Sequence, residues 1–213
     1  FAAAHGGGIL SKRKAQILFA IFILLGALLV GSRVAETLGN KIIPTEVLTL
    51  DNVIIILISA TISLFIANLL HVPQSTSLVT VASIFGVGLY FGGVNSKTFL
   101  YLVPFWILLP ALGYFLTYFL GKLVYPARKS NFWIYEKLLN HRERLKIFVI
   151  IASCYNAFSV GTNNVANAVG PLAGSGIIGV TIGFLLVAPV FGLGSVVFQE
   201  PLKTTGQKIV PLG

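Results

Sequence analysis

Long stretches without any charged side chain are the feature that most restricts the fold of this chain. No Asp, Glu, Lys or Arg lies between Asp51 and Lys97, between Lys97 and Lys122, or in the 53 residues from Ile147 to Gln199. A helix needs about 20 apolar residues to cross a bilayer, so each stretch holds at least one such helix and the last stretch holds more than one. The chain is therefore predicted to be an all-α polytopic membrane protein.

The composition excludes function classes that a basic chain would otherwise suggest. The formal net charge is +9, yet 56% of the 213 residues are hydrophobic and only 10% are charged. Soluble domains carry about 25% charged residues, so a soluble nucleic-acid-binding protein is excluded and no nucleic-acid partner is expected. The single cysteine, Cys154, excludes a disulfide scaffold and is interpreted as a packing residue. No nucleophile–base pair, metal-ligand spacing or complete P-loop is present, so neither an enzyme nor a bound cofactor is expected.

Six segments are predicted to span the membrane, with approximate limits 15–34, 52–70, 77–93, 99–124, 145–160 and 178–198. Three basic residues precede the first span, and seven Lys or Arg lie in the segment 122–146. Four spans separate these two clusters, so both are expected to face the cytoplasm. The simplest interpretation of Arg142, Glu143, Arg144 and Lys146 in the second cluster is a solvated loop near lipid headgroups, and binding of a specific partner is the alternative.

A weak internal repeat predicts inverted topology. Gly6–Leu10 matches Gly174–Ile178 at an offset of 168 residues, and with one residue dropped the segment 37–44 matches 204–211. Five spans lie between the copies, so the second copy enters the membrane from the opposite side, as in many secondary transporters. We expect an inverted-repeat transporter with broken or re-entrant helices. Its parts would be most of a first repeat (1–125), a basic cytoplasmic loop (126–146) and the start of a second repeat (147–213).

The same repeat predicts that the chain is a piece of a longer protein. The first copy lacks a counterpart of Gly161–Ala168, and the second ends before a counterpart of Pro73–Ser77. The chain also contains no Met and begins at Phe1.

The first of two polar islands in the apolar sequence is the segment 71–77, His-Val-Pro-Gln-Ser-Thr-Ser. Pro73 is expected to end one helix and Ser75 to cap the next. The free amides of Thr76, Ser77 and Leu78 would then form an anion site at the positive end of the helix dipole. Simple capping at the membrane boundary is the alternative.

The second polar island is the segment 161–168, Gly-Thr-Asn-Asn-Val-Ala-Asn-Ala. Asn163 and Asn167 are four residues apart and share a helix face. Three Asn side chains would be costly against lipid, so they are expected to face a cavity or a partner helix. Gly161 and the Gly-Pro pair at 170–171 would permit a broken helix. The alternative to a binding role is that the Asn side chains only form hydrogen bonds between helices and that Gly170 and Gly174 only allow close packing.

At these islands the sequence resembles the inorganic phosphate transporter family. That family carries Gly-Ala-Asn-Asp-Val-Ala-Asn-Ala in each repeat, matched here by the second island, and Pro-x-Ser-Thr-Thr/Ser-His, matched by residues 73–77. The resemblance implies a site for the oxyanion and its coupling ion. The substrate-binding positions that match are Ser75, Thr76, Ser77, Asn163, Asn164 and Asn167, and those for the coupling ion are Thr162, Asn163 and Asn164.

Two departures bear on the substrate. Asn164 stands where the family has Asp, and Leu78 stands where His often follows. Without that carboxylate the site loses a hard ligand for Na⁺ and a strong acceptor for the protons of phosphate. Sulfate carries no proton and needs only donors, and these substitutions are similar to those of the sulfate-permease branch of the family.

The residues and the resemblance together predict a secondary-active permease for a tetrahedral inorganic oxyanion in a prokaryotic plasma membrane. Phosphate is the family default and sulfate the alternative, with coupling to H⁺ or Na⁺. A site of neutral donors suits transport, because an Arg or Lys clamp would hold the anion too long. A passive anion channel and a structural membrane scaffold are the competing classes, and a homodimer is left open.

Overall fold

The computed structural model describes residues 1–70, 72, 74–126 and 128–197, and within these ranges all regular structure is helical. The described residues form nine α-helices, with a 3₁₀ turn at Thr45–Val47 and a π-helical segment at Gly161–Val165. Their bounds are α1 Ala2–Gly6, α2 Lys12–Asn40, α3 Leu50–Leu69, α4 Thr76–Tyr90, α5 Ser96–Val124, α6 Phe132–Asn140, α7 Arg142–Val160, α8 Ala166–Gly174 and α9 Val180–Val197.

Helices occupy all six predicted spans. In the part of the chain that the structure describes, four helical stretches are long and apolar enough to cross a membrane, namely α2, α3, α5 and the continuous run Arg142–Gly174. The third and sixth predicted spans correspond to the shorter apolar helices α4 and α9. The helical prediction is therefore confirmed, whereas the fifth span extends well past its predicted limit of 160.

The predicted break in the second island takes another form. The helix passes from α7 through the π-helical segment directly into α8, so its axis continues where an interruption was expected. A π-helical segment adds a residue to a turn and disturbs the hydrogen-bond ladder without ending the helix. The predicted basic loop also differs, because α6 forms within it and α7 begins at Arg142.

Helix α2 is the centre of the structure, and glycines bring α7 and α8 close to it. A Cβ on Gly26 would collide with the carbonyl oxygen of Phe158, and a Cβ on Gly161 would collide with that of Ile23. Further along, Gly39 lies against the backbone of Gly174. The two helical stretches therefore run in parallel, which places both basic clusters at the same end of the molecule, as the charge pattern predicts.

Helix α9 runs antiparallel to α2. Near the start of α2, the Gln16 side-chain amide donates to the carbonyl of Ser195, close to the end of α9, at 3.0 Å. Further along α2, Gly31 contacts the buried ring of Phe184, close to the start of α9.

Local structure also follows the predicted repeat at the offset of 168 residues. Helices α1 and α8 end at equivalent residues, α2 and α9 begin at equivalent residues, and Gly8 and Gly176 between them have φ values of 68° and 75°. The equivalence of residues 204–211 lies outside the described residues, and the full inverted repeat stays a prediction.

Two apolar clusters hold the helices on either side of the polar islands. One joins α2, α7, α8 and α9 around Ile23, Val165 and Phe184. The other joins the end of α2 to α3 and α4 around Ile42, Ile56 and Ile84. Helix α4, which contributes Val81 and Ile84 to the second cluster, also contacts the π-helical segment, which contributes Val165 to the first.

Candidate functional site

Ser75 caps α4 as the sequence predicts. Its backbone is extended, and its hydroxyl oxygen accepts a hydrogen bond from the Leu78 amide at 3.3 Å. Helix α4 therefore begins at Thr76, inside the first island, and its first-turn amides and positive dipole end lie at the polar cluster described next. His71 and Pro73 of this island lie outside the described residues.

The two islands are joined by direct hydrogen bonds between side chains. The Thr76 hydroxyl donates to Oδ1 of Asn164 at 3.1 Å, and the Ser77 hydroxyl donates to Oδ1 of Asn163 at 2.9 Å. These residues are 86 to 88 positions apart in sequence. The structure thus brings four of the six predicted substrate-binding side chains into contact.

Asn167 completes this polar cluster. Its side-chain amide donates to the Thr76 hydroxyl at 3.3 Å and to the Ser77 hydroxyl at 3.1 Å. The residue is only 4% exposed, and its Oδ1 is buried without a hydrogen-bond partner in the described structure. Such an acceptor costs about 1–3 kcal/mol when left unsatisfied. The cluster therefore has an unused acceptor inside it for a proton donor or a cation.

Thr162, predicted to help bind the coupling ion, lies apart from the cluster. Its hydroxyl donates to the carbonyls of Gly26 at 3.2 Å and Phe158 at 3.0 Å, so it faces α2. Successive helical residues point about 100° apart, which is why Thr162 and Asn163 meet different neighbours. Thr162 links the helices here, whereas Asn163 and Asn164 face α4.

A cavity of about 300 Å³ opens beside the polar cluster. Ser77, Asn163 and Asn167 form one part of its wall, and apolar side chains from α2, α4 and α5 form much of the remainder. Arg33 also lines this cavity, although the sequence interpretation did not include it. The sequence does single out Arg33 by its position, because it follows 18 uncharged residues in an apolar helix. Ionisable residues in such helices are commonly functional.

Comparisons with known proteins agree with this architecture. A family model described as the phosphate transporter family matches residues 1–213. The chain is 38% identical over 208 residues to the sulfate permease CysP of Bacillus subtilis (strain 168), an alignment that covers 97% of this chain and 57% of that protein. It is 27% identical over 169 residues to sodium-dependent phosphate transporter 2 of Cricetulus griseus, with 75% of this chain and 26% of the relative covered.

A solved structure titled "The sodium-dependent phosphate transporter" superposes with a TM-score of 0.77 at 25% identity, covering 99% of this chain and 73% of that one. The chain spans 57% of the length of the Bacillus relative. The long apolar helices and these relatives agree with the prediction of a multi-pass membrane protein. Because the family model matches every residue, the chain belongs to the phosphate transporter family.

Proposed function

We propose that the chain is part of a secondary-active permease for tetrahedral inorganic oxyanions and that sulfate is its substrate. The observation that carries this proposal is the uncharged polar cluster, in which Thr76 and Ser77 of α4 meet three Asn side chains. The cluster adjoins a cavity and contains a buried acceptor without a partner. A structural scaffold would gain nothing from that unsatisfied group.

The donors of the cluster suit an anion that accepts hydrogen bonds only. Sulfate carries no proton at neutral pH, so hydroxyls, side-chain amides and the first-turn amides of α4 supply what it needs. The hydroxyls of Thr76 and Ser77 now donate to Asn oxygens, and they would turn towards an arriving anion. Neutral hydrogen bonds would thereby be exchanged for stronger, charge-assisted ones.

Phosphate is the second candidate, and the names of the relatives support it. The family description, the Cricetulus relative and the superposed structure all refer to phosphate. Phosphate retains one or two protons at neutral pH and gains from a carboxylate that accepts hydrogen bonds from its O–H groups. Asn164 offers an amide oxygen in place of that carboxylate, and the relative with 38% identity is a sulfate permease, so we favour sulfate.

Uptake is proposed to be driven by H⁺ or Na⁺. The buried Oδ1 of Asn167 lies among the substrate donors and is suited to accept a hydrogen bond or to coordinate a cation. Asn163 and Asn164 contribute further amide groups beside it. Alternating access would then move the two halves of the complete protein around this site.

Uptake by the full-length protein in proteoliposomes tests the proposal. Labelled sulfate should accumulate above its external concentration under an imposed inward H⁺ or Na⁺ gradient, and unlabelled sulfate should compete better than phosphate or arsenate. Protein-free vesicles and vesicles with a collapsed gradient are the controls. Strictly downhill flux would identify a passive channel instead, and stronger competition by phosphate would make phosphate the substrate.

A further inference from the structure

Arg33 is a cationic residue that the proposed function leaves unexplained. It lies near the end of α2 after an uncharged stretch of 18 residues, in a helix long and apolar enough to span a membrane. Arg33 lies at the end of the predicted span 15–34 and is exposed in the structure, so its charge is not buried. Ionisable residues in such helices commonly mark a substrate or ion path, where a partner of opposite charge binds.

The carboxylate nearest along the helix does not supply that partner. Glu36, three residues after Arg33, pairs with Lys41 at 3.1 Å. Throughout the described ranges, no Asp or Glu oxygen comes within ion-pair distance of Arg33, and the nearby Thr37 hydroxyl donates to the Arg33 carbonyl. The guanidinium charge is thus available to an anion.

The cavity shows where that anion would lie. Arg33 shares its wall with Ser77, Asn163 and Asn167, and apolar residues such as Trp106 complete it. A volume of about 300 Å³ is at the lower limit for small-molecule sites, which favours a small ion and its remaining water. Apolar walls also strengthen the attraction between a fixed charge and an ion of opposite sign.

We propose that Arg33 is the counter-charge of the transported anion and selects divalent tetrahedral oxyanions over monovalent ones. This inference rests on the proposed function. The guanidinium has a planar fork of donors that can bind two oxygens of a tetrahedral anion, while the neutral cluster binds the others. The neutral donors expected from the sequence are thereby supplemented by a single charge. Because Arg33 is exposed in the structure, cationic groups do not enclose the anion and it can still leave.

The test uses full-length protein in proteoliposomes and the variants Arg33→Gln, Arg33→Lys and Arg13→Gln. Arg13 is the matched control, because it is an exposed arginine at the opposite end of the same helix. Initial rates of labelled sulfate uptake give KM and kcat. Inhibition by unlabelled sulfate and by perchlorate, a tetrahedral monovalent anion, gives the selectivity.

Arg33→Gln should raise the KM for sulfate by about 10- to 100-fold with a smaller change in kcat, as expected for the loss of one charge-assisted hydrogen bond. Inhibition by perchlorate should change little, so the preference for the dianion falls. Arg33→Lys, which keeps the charge without the fork, should have an intermediate KM, and Arg13→Gln should match the parent.

An unchanged KM in Arg33→Gln, or an equal loss for sulfate and perchlorate, would overturn the inference while the parent's gradient-driven uptake still supports the permease. If the parent accumulates no oxyanion, the proposed function and the role of Arg33 both fail. Should Arg33→Gln not yield folded protein, the Arg33→Lys KM decides, because a parent-like value would contradict fork recognition.

Discussion

The Ser77 hydroxyl donates to Oδ1 of Asn163 at 2.9 Å, and this bond joins the start of α4 to the π-helical segment. Both residues also line the cavity whose wall includes Arg33. If the proposed anion recruits the Ser77 hydroxyl, that hydroxyl must release Asn163, and we therefore expect anion binding to be coupled to the contact between these two helical elements.

Loss of the Ser75 cap should affect both stability and transport. Ser75→Ala removes the hydroxyl that accepts from the Leu78 amide, at a cost of about 1 kcal/mol in stability. It also changes the helix end beside the polar cluster, so the KM for sulfate should rise several-fold. Thr49→Ala is the control, because Thr49 caps α3 through the Asn52 amide away from the cluster. Equal KM values in the two variants would show that Ser75 acts only as a cap.

Asn164→Asp should shift the selectivity towards phosphate. A carboxylate at this position would accept a hydrogen bond from a phosphate O–H and repel fully ionised sulfate, while Thr76 could still donate to it. The ratio of phosphate to sulfate uptake should rise by about tenfold, as expected for a difference of about 1.4 kcal/mol. Asn95→Asp provides a control, since Asn95 caps α5 and is not part of the polar cluster. A parent-like ratio in Asn164→Asp would show that another residue determines the substrate.

Much of the fold could be predicted because the membrane allows few solutions. Charge-free stretches must form helices, so the six predicted spans each coincide with one. The residues predicted only that the Asn side chains face a cavity or a partner helix, and the family resemblance implied that the two islands form one site. Ser75 was predictable as a cap, since Pro73 precedes it and an apolar run follows.

The remaining features depend on which side of a helix faces which neighbour. Thr162 is adjacent to Asn163, yet it donates to carbonyls in α2 and α7 while Asn163 meets α4. The π-helical segment depends on backbone hydrogen bonds that the residue pattern does not specify. The sequence marks Arg33 as an isolated charge in an apolar helix, but its place in the wall of the cavity depends on how α2 packs beside α4 and α5.

Close packing of α2 against α7 should make Gly26 intolerant of a side chain. In Gly26→Ala the new Cβ would collide with the Phe158 carbonyl oxygen, so the helices must separate. Overpacking of this kind costs about 1–3 kcal/mol. The melting temperature in detergent should fall and uptake should decrease with it. Gly113→Ala in α5 is the control, because the new Cβ would lie in open space; the melting temperature should stay unchanged or rise. Similar melting temperatures for the two variants would contradict the close approach of α2 and α7.

Thr162→Val separates a packing role from a coupling-ion role for Thr162. Valine keeps the shape of the side chain but loses the hydrogen bonds to Gly26 and Phe158, so stability should fall by about 0.5–1.5 kcal/mol. The concentration of H⁺ or Na⁺ that gives half-maximal sulfate uptake should stay at the parent value. Asn163→Ala, measured in parallel, should raise that concentration because Asn163 faces the polar cluster. If Thr162→Val raises it as strongly as Asn163→Ala does, Thr162 is a ligand of the coupling ion in a conformation that differs from this one.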